Sequence, residues 1–420
     1  MTPSQLRHTQ NVIEELISFK RPADAVLSLY FKNHSKLGRQ DRHEIAETAF
    51  AALRHYEKIA DFLGDDAKNP HWVALAALII GRGLSINALG DCITDEEKPR
   101  LSELKAHKAQ FAAKLNTASE LPTWLVERLA EHMSEDEIKN IGKSLSAPAP
   151  LDLRVNTLKG KRDKVLKQLQ EEGLDAVATP FSPWGIRLQQ KIVLTRHPLF
   201  RDGVLEVQDE GSQLLALLTG SKRGDMAVDF CAGAGGKTLA MGAMMANTGR
   251  VYAFDIAEKR LANMKPRLAR SGLSNVHPEL LAHENDSKIR RLMNKVDTVL
   301  VDAPCSGLGT LRRNPDLKYR QSPESVAQLL EQQASILESA ARLLKLNGRL
   351  VYATCSILPE ENQQQVARFL ANHPNFELLD CAELLKGLKI PLNTGTSLSL
   401  NPYAHQTDGF FAAVLQKKSH

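Results

Sequence analysis

The sequence predicts an α/β protein in which a parallel sheet is covered by helices on both faces and is preceded by an all-helical region. Two observations support this fold class. From residue 226 onward, apolar runs alternate with helical stretches, and the runs lie near 226–231, 250–255, 276–280, 297–302 and 347–353. This alternation is typical of strand–helix–strand units, which form parallel sheets. Before residue 145, apolar residues recur at helical spacing instead.

The composition is that of an ordinary soluble protein. The chain has 420 residues, of which 43% are hydrophobic and 25% are charged. The polar start "MTPSQLRHTQ" and the shortness of the apolar run "WVALAALII" predict a cytoplasmic protein without a membrane span. Five separated cysteines without a CxxC pair predict neither a disulfide framework nor a metal site. The net charge of +5 permits an anionic partner.

Residues 1–145 are predicted to form a separate helical domain. Asp41 is expected to cap the third helix, with Glu44 as its capping-box partner. The segment "LSAPAP" at 145–150 is expected to be a linker, because prolines interrupt helices.

Residues 151–205 are predicted to form a small α+β subdomain. It contains the expected strands "LDLRVNTLKG" and "GIRLQ" and, between them, a helix ending at Gly173. The larger sheet domain then occupies 206–420. Its last strand, "GFFAAVLQK", is expected to be antiparallel.

The first strands of the larger domain end in residues that suit a nucleoside-containing cofactor. Asp229 precedes the loop "CAGAGGKT", whose glycines Gly233, Gly235 and Gly236 allow close approach of a ligand. Asp255 ends the next strand, about twenty residues later, where a carboxylate binds ribose hydroxyls. A dinucleotide and S-adenosylmethionine both fit this pattern, although the GxGxxG fingerprint of a dinucleotide site is incomplete. A simple strand-to-helix turn also explains the glycines alone.

Two further residues have open interpretations. Asp286 follows the third strand and is expected either to bind the adenine amine or to cap a helix. Lys237 begins the helix after the glycine loop and is either a surface residue or part of the pocket.

Two cysteines lie at matching positions beyond neighbouring strands. Cys305 follows Asp302 in "VDAPCSG", and Cys355 follows the strand "LVYAT". Ligands of open parallel sheets bind at the carboxyl ends of the strands, so both thiols are expected to converge on one pocket. The remaining cysteines, Cys92, Cys231 and Cys381, are interpreted as small buried residues.

A thiol pair beside an acid and a methyl donor suits methylation of a pyrimidine at C5. This carbon is too weak a nucleophile until a thiolate adds to C6, which is covalent catalysis. A carboxyl group can then assist at N3, and a base must remove the C5 proton.

The blocks "DFCAGAGGKT", "DAPCSGLGTLRRNPD", "YATCSILPEEN" and "TDGFFAAVL" resemble those of the NOP2/Sun RNA (cytosine-5) methyltransferases, of the RsmB-type branch. "LRVNTLK" and "VQDEGSQL" match upstream blocks of that family. The resemblance implies a Rossmann-like S-adenosylmethionine methyltransferase sheet. It also implies a NusB-like RNA-binding domain in residues 1–145 and an RNA-binding role for the small subdomain at 151–205.

The resemblance implies roles for particular residues. Cys355 would be the nucleophile, Cys305 would assist release of the product, and Asp302 would contact the cytosine N3 edge. The implied cofactor-binding residues are Cys231, Ala232, Gly233, Gly235, Gly236, Lys237, Asp255, Arg260, Asp286 and Asp302. The expected partner is RNA, with rRNA of the small subunit favoured, and the expected state is a monomer without a metal.

Two basic runs are candidates for RNA contact. Residues 154–167 carry six Lys or Arg and 312–320 carry four, each with one Asp. The second run directly follows the Cys305 loop, so it is expected to contact phosphates. Two rival functions remain open at this point: a non-catalytic RNA-binding or assembly factor that keeps the fold, and an NAD-dependent oxidoreductase.

Overall fold

A computed structural model describes residues 1–190 and 192–418 and divides them into two compact units. The first unit comprises Met1–Pro148 and Thr310–Ser325. The second unit comprises Ala149–Gly309 and the described residues from Val326 onward.

The first unit is helical, as the apolar spacing predicts. Its helices before residue 148 are α1 (Pro3–Leu16), α2 (Ala23–Asn33), α3 (Arg39–Arg54), α4 (Tyr56–Leu63), α5 (Pro70–Ile80), α6 (Lys98–Ala106), α7 (Lys108–Ala113), α8 (Leu115–Ser119), α9 (Thr123–Ala130) and α10 (Glu135–Leu145). The apolar helix α5 is buried along most of its length and forms the centre of the core.

Asp41 does not cap α3 as predicted. The helix begins earlier, with Gly38 at the N-cap, and the Asp41 carboxylate accepts a hydrogen bond from the Gly38 N–H at 3.1 Å. Asp41 therefore occupies the position that Glu44 was expected to hold in the capping box. The difference arises because glycine also serves as an N-cap, so a polar side chain does not by itself mark the first residue of a helix.

The second unit begins with a small antiparallel sheet of strand order β2-β3-β1-β4. Its elements are β1 (Leu151–Val155), α11 (Arg162–Glu171), β2 (Ala176–Ala178), β3 (Gly185–Leu188), α12 (Pro198–Arg201) and β4 (Leu205–Val207).

A larger sheet follows in the same unit. Its strands are β5 (Met226–Asp229), β6 (Arg250–Asp255), β7 (Val276–Leu280), β8 (Val296–Asp302), β9 (Leu344–Thr354), β10 (Phe376–Leu379), β11 (Leu398–Leu400) and β12 (Phe410–Lys417). The remaining α-helices of the described residues are α13 (Glu210–Leu218), α14 (Gly236–Met244), α15 (Glu258–Ser271), α16 (Ser287–Arg290), α17 (Leu317–Arg320), α18 (Pro323–Ala341), α19 (Gln363–Asn372), α20 (Cys381–Gly387) and α21 (Pro402–His405). Short 3-10 helices span Gly64–Lys68, Ile86–Cys92, Leu194–Arg196 and Leu308–Thr310.

The larger sheet has the order β10-β12-β9-β8-β5-β6-β7, with β11 paired to β12. Strands β5 to β9 are parallel, whereas β12 runs antiparallel to β9 and β10. The predicted α/β fold class is therefore confirmed, including the antiparallel last strand.

Apolar residues of the sheet point alternately to two separate cores. One core packs the strands against α13, α14 and α15, and the other packs them against α18 and α19. Because both faces are buried, the strands are apolar throughout, which explains why they are easy to find in the sequence.

The segment Thr310–Ser325, which includes α17, belongs to the helical unit. The Lys318 side chain is 2% exposed, and its Nζ donates to the carbonyl oxygens of Arg54 at 2.9 Å and Glu120 at 2.7 Å. Tyr319 packs against the rings of Phe19 and Tyr56. The loop that follows Cys305 thus contributes to the core of the helical unit, which the sequence did not indicate.

Within residues 1–190 and 192–418, no helix has the length and apolarity needed to cross a membrane.

Candidate active site

A cavity of about 790 Å³ lies at the carboxyl ends of the parallel strands. Residues from the ends of β5, β6 and β8 line it, together with residues from the segment after β7 and from the point where β9 ends. This is the edge at which open parallel sheets bind ligands.

The glycine loop forms one wall of this cavity. Gly233 and Gly235 have φ values of +55° and +85°, a backbone conformation that favours glycine. A Cβ at position 235 would lie 2.6 Å from the Met264 Cγ, so a larger residue would force the Met264 side chain of α15 to move. Helix α14 begins directly after this turn at Gly236, which directs its first backbone N–H groups toward the cavity wall.

Asp255 connects the glycine loop to the end of β6. Its Oδ2 accepts the Gly233 N–H at 2.7 Å, and its Oδ1 accepts the Ala257 N–H at 2.7 Å. A carboxylate oxygen can accept a second hydrogen bond, and Asp255 lines the cavity. Asp255 therefore retains acceptor capacity at the cavity.

Asp229 is a buried acid at the end of β5. Its side chain is 1% exposed, and its Oδ2 accepts the Thr238 hydroxyl at 2.7 Å. Burial raises the pKa of Asp229 to about 7, and the negative charge of Asp302 adds to this rise. Its Oδ1 has no hydrogen-bond partner among the described residues, although Asp229 lines the cavity. The cavity therefore contains an unused polar atom of the kind that a bound cofactor can contact.

Asp302 and Lys237 form an ion pair at the cavity. The Lys237 Nζ lies 2.7 Å from the Asp302 Oδ2. Burial by itself lowers the pKa of Lys237, but the negative charge of Asp302 and the hydrogen bond to its carboxylate outweigh this effect and leave the pKa raised. Lys237 thus remains an ammonium ion and offers a donor beside the Asp302 acceptor.

The two thiols lie side by side at the rim of the same cavity. Strands β8 and β9 are parallel neighbours, with Asp302 opposite Ala353, so the segments that follow them emerge together. The Sγ atoms of Cys305 and Cys355 are 3.5 Å apart, and the Cys355 backbone N–H also faces the Cys305 sulfur at 3.4 Å.

The Cys305 thiol is kept protonated. Its hydrogen bond with Cys355, its burial and nearby negative charge together raise the pKa of Cys305 well above the usual range of a thiol. Cys305 therefore holds its proton tightly, and the Cys355 sulfur is its hydrogen-bond partner.

The other cysteines lie outside this pair. Cys231 lines the cavity at the start of the glycine loop, and burial raises the pKa of its thiol well above the usual range. Cys92 is buried in the helical unit and Cys381 in the core beside the larger sheet. None of these three is described as disulfide-bonded.

Most sequence-predicted site residues line the cavity, and two do not. The residues that line it are Cys231, Ala232, Gly233, Gly236, Lys237, Asp255, Arg260, Asp302, Cys305 and Cys355. Gly235 is absent from the lining and acts through the backbone turn instead.

Asp286 has a different position from the predicted cofactor contact. It caps α16, and its carboxylate accepts the backbone N–H groups of Ala282 at 2.8 Å and Lys288 at 2.9 Å. It does not line the cavity, whereas its neighbours Leu281 and Glu284 do. The helix-cap interpretation fits Asp286, because backbone amides occupy its carboxylate.

Several lining residues were missed from the sequence. They are Gln208, Asp209, Ser212, Arg267, Glu284, Gln332 and Phe410. The block "VQDEGSQL" contained a signal for the first three, since it spans the end of β4 and the start of α13, as the glycine loop joins β5 to α14.

Arg267 and Arg154 connect the glycine loop to the small sheet. Arg267 pairs with Glu206 of β4 and donates to the Ala234 carbonyl at 2.9 Å. Arg154 of β1 donates to the Gly236 carbonyl at 2.8 Å, and burial lowers its pKa to about 10. The small sheet therefore supports the cavity wall directly.

The expected phosphate contacts do not fit all residues of the basic runs. Lys318 is directed into the helical unit, and Arg320 pairs with Asp316 at 3.2 Å. In the first run, Arg154 is buried, while Lys161, Lys164 and Lys167 are exposed. Charge runs in a sequence do not reveal which side chains turn inward.

The fold and the site define an S-adenosylmethionine-dependent methyltransferase of the α/β class that carries two adjacent thiols. A family model described as 16S rRNA methyltransferase RsmB/F matches residues 216–416, and one described as the ferredoxin-like domain of RsmF/B-like methyltransferases matches residues 121–195.

Curated relatives agree with this class. A Synechocystis sp. protein named "Probable ribosomal RNA small subunit methyltransferase B" is 34% identical over 78% of this chain and 70% of its own length. A Bacillus subtilis protein of the same name is 32% identical over 73% of this chain and 68% of its own length. The chain belongs to the NOP2/Sun family, RsmB type, and is an RNA methyltransferase.

Solved structures share the fold. The crystal structure of PH0851 is 26% identical, with a TM-score of 0.80 and 99% of both chains covered. A methyltransferase homologue from Pyrococcus horikoshii is 27% identical, with a TM-score of 0.58, and covers 71% of this chain and 100% of its own.

Proposed function

We propose that this chain methylates C5 of a cytosine in rRNA of the small ribosomal subunit, with Cys355 as the nucleophile. The observation that carries the proposal is the pair of thiols, 3.5 Å apart, on the same cavity as Asp302, Lys237 and the glycine loop. The names of the relatives support small-subunit rRNA as the substrate.

The cavity residues fit the cofactor. Asp255 receives the ribose hydroxyls, the turn at Gly233 and Gly235 allows close backbone approach, and the unpartnered Asp229 Oδ1 offers a further acceptor. When bound, S-adenosylmethionine supplies an electrophilic methyl group. Arg260 and Lys237 also line the cavity and remain in the proposed cofactor site.

Cys355 makes the cytosine reactive. Its thiolate adds to C6, which forms a sulfur–carbon bond and moves the electron pair of the C5–C6 double bond into the ring. The Asp302–Lys237 pair stabilises this state, because it offers an acceptor and a donor for the N3 edge of the base. C5 thereby becomes nucleophilic enough to accept the methyl group.

Cys305 completes the reaction. Adduct formation converts the Cys355 sulfur into an uncharged thioether, which removes the largest cause of the raised pKa of Cys305. Cys305 then loses its proton to solvent more readily, and its thiolate takes the proton from C5 and becomes a thiol again. The released electron pair restores the C5–C6 double bond, the bond from C6 to sulfur breaks, and Cys355 leaves as a thiolate.

The helical unit is proposed to hold the RNA. It contains a cavity of about 500 Å³ lined by apolar residues and by Lys58, Lys105, Lys108 and Lys143. Lys58 pairs with Glu120, whereas Lys105, Lys108 and Lys143 are exposed and can neutralise phosphates. We include residues 1–145 and the subdomain at 151–205 in the RNA-binding surface of a cytoplasmic monomer.

Bisulfite sequencing of small-subunit rRNA tests the proposal. In cells lacking the gene, one cytosine that normally resists deamination by bisulfite should become sensitive to it. Expression of the wild-type chain should restore the resistance. Reconstitution with purified chain, S-adenosylmethionine and unmodified rRNA should yield 5-methylcytosine at the same position. Binding of rRNA without methyl transfer would instead indicate the non-catalytic assembly factor.

A further inference from the structure

Glu361 is a buried acid that lies behind the two cysteine segments. Its side chain is 0% exposed, and it does not line the cofactor cavity. It follows the "TCS" block in the sequence and has no role in the chemistry described above. Burying a carboxylate is costly unless its oxygens are hydrogen-bonded, so its partners indicate what it does.

Both cysteine segments donate hydrogen bonds to this carboxylate. The Ser306 N–H reaches Oε1 at 2.8 Å, and the Ser306 hydroxyl reaches Oε2 at 2.5 Å. The Ser356 hydroxyl also donates to Oε2. The Gln333 side-chain amide, from α18, reaches Oε1 at 2.9 Å. The carboxylate is therefore fully satisfied.

The two serines are the immediate neighbours of the two thiols. Ser306 follows Cys305, Ser356 follows Cys355, and their hydroxyl oxygens are 3.1 Å apart. One carboxylate thus joins the segments after β8 and β9 at the positions next to the sulfur atoms. Gln333 adds a further link, because it also donates to the Pro304 carbonyl at 3.1 Å.

We propose that Glu361 is a positioning residue that holds the Cys305 and Cys355 sulfur atoms in contact. Cys305 then lies close enough to remove the C5 proton from the adduct that Cys355 forms. The consequence for methylation rests on the proposed function, whereas the effect on the distance between the thiols does not. The Gly309 N–H also donates to the Cys355 carbonyl at 2.9 Å, which is a backbone contact between the same two segments.

The test compares Glu361→Gln with Glu377→Gln, a matched change at an exposed glutamate of β10. Diamide takes two electrons and two protons from a pair of thiols and leaves a disulfide, so its rate reports how often the sulfur atoms meet. We expect Glu361→Gln to slow formation of the Cys305–Cys355 disulfide by about tenfold, the loss typical of removing charge-assisted hydrogen bonds. The affinity for S-adenosylmethionine should stay within about twofold of wild type.

The separate effects on kcat and on the KM for RNA distinguish a positioning role of Glu361 from a general loss of folded protein. Glu361→Gln should lower kcat by about tenfold with little change in the KM for RNA, and unresolved adduct should accumulate. Glu377→Gln should change neither quantity. Wild-type rates of disulfide formation and turnover in Glu361→Gln would overturn the proposal.

A second variant guards against misfolding. Ser356→Ala removes one link and keeps the carboxylate, so it should slow disulfide formation in the same direction by a smaller factor. If Glu361→Gln is unfolded by circular dichroism, a wild-type rate in folded Ser356→Ala would overturn the proposal. If wild-type chain forms no adduct with RNA containing 5-fluorocytosine, the proposed function fails, while the disulfide rates still decide the role of Glu361.

Discussion

The sulfur atoms of Cys305 and Cys355 lie 3.5 Å apart, although fifty residues separate them in the chain. Their contact follows from the parallel pairing of β8 with β9, which brings the ends of both strands to one edge of the sheet. The contact raises the pKa of Cys305 through the hydrogen bond with Cys355. The Cys305 thiol therefore loses its proton less readily than an ordinary cysteine.

Replacement of Cys355 by alanine should abolish covalent capture of RNA. We expect Cys355→Ala to form no adduct with RNA containing 5-fluorocytosine and to show no turnover, because Cys355 supplies the sulfur that adds to C6 in the proposed mechanism. Denaturing gel electrophoresis detects the adduct. Cys92→Ala, a change at a buried thiol of the helical unit, should leave both measurements unchanged. A shifted band with Cys355→Ala would show that another residue is the nucleophile.

Replacement of Cys305 by alanine should have the opposite effect on the adduct. Cys355 remains able to attack, but the base that removes the C5 proton is gone. We expect Cys305→Ala to accumulate a protein–RNA band on ordinary RNA and to release little product. Normal turnover without such a band would contradict the role of Cys305.

The two acids Asp255 and Asp286 should differ in their effect on cofactor binding. Asp255 faces the cavity, and the two hydrogen bonds expected there are each worth about 1.5–3 kcal/mol. Asp255→Ala should therefore weaken S-adenosylmethionine binding by at least about tenfold in calorimetry.

Asp286→Ala is the matched control for Asp255. It should leave the dissociation constant unchanged and lower stability by about 0.5–2 kcal/mol, the usual cost of losing a helix cap. Equal losses of S-adenosylmethionine affinity in the two variants would show that Asp286 contributes to the cofactor site.

The stability of the protein should depend on pH through Asp229. Its pKa rises from 3.8 to about 7 on folding, so the folded state binds this proton more tightly than the unfolded state. The resulting penalty is small at acid pH, grows as pH rises from about 4 to 7, and is constant above that range. Asp229→Asn removes the penalty because an amide does not ionise.

The stability difference between Asp229→Asn and wild type should therefore shift in favour of the variant by about 2 kcal/mol between pH 5 and pH 8. Urea unfolding at both pH values measures this shift. Any cost of burying the amide itself is the same at both pH values and cancels. A difference that does not change with pH would place the pKa of Asp229 in its ordinary range.

The lysine-lined cavity of the helical unit should contribute to RNA affinity. Replacing Lys105, Lys108 and Lys143 by alanine should weaken RNA binding and reduce the slope of log K against log salt by up to about 2, at roughly 0.7 per phosphate contact. Replacing the exposed Lys20, Lys36 and Lys68 is the matched control. Identical salt slopes in both triple variants would exclude this cavity.

Point variants suit this question better than a deletion of the helical region. The Nζ of Lys318 donates to the carbonyl oxygens of Arg54 and Glu120, and all three residues belong to the same unit. Removing residues 1–145 would take away both acceptors of Lys318 and the residues that pack around it, so loss of activity would not report on RNA binding alone.

The sequence by itself determined the α/β fold class, the strand ends and the candidate thiols. Buried parallel strands are apolar along their whole length, so a local pattern reveals them, and the glycine loop with Asp255 follows directly from chain order. Only the tertiary structure decided the 3.5 Å contact between the thiols, the burial of Lys318, the capping role of Asp286 and the position of Glu361. The physical reason is that the spacing of apolar residues is a property of neighbouring positions in the sequence. The hydrogen bonds and the burial of a polar side chain depend instead on segments that are distant in the chain.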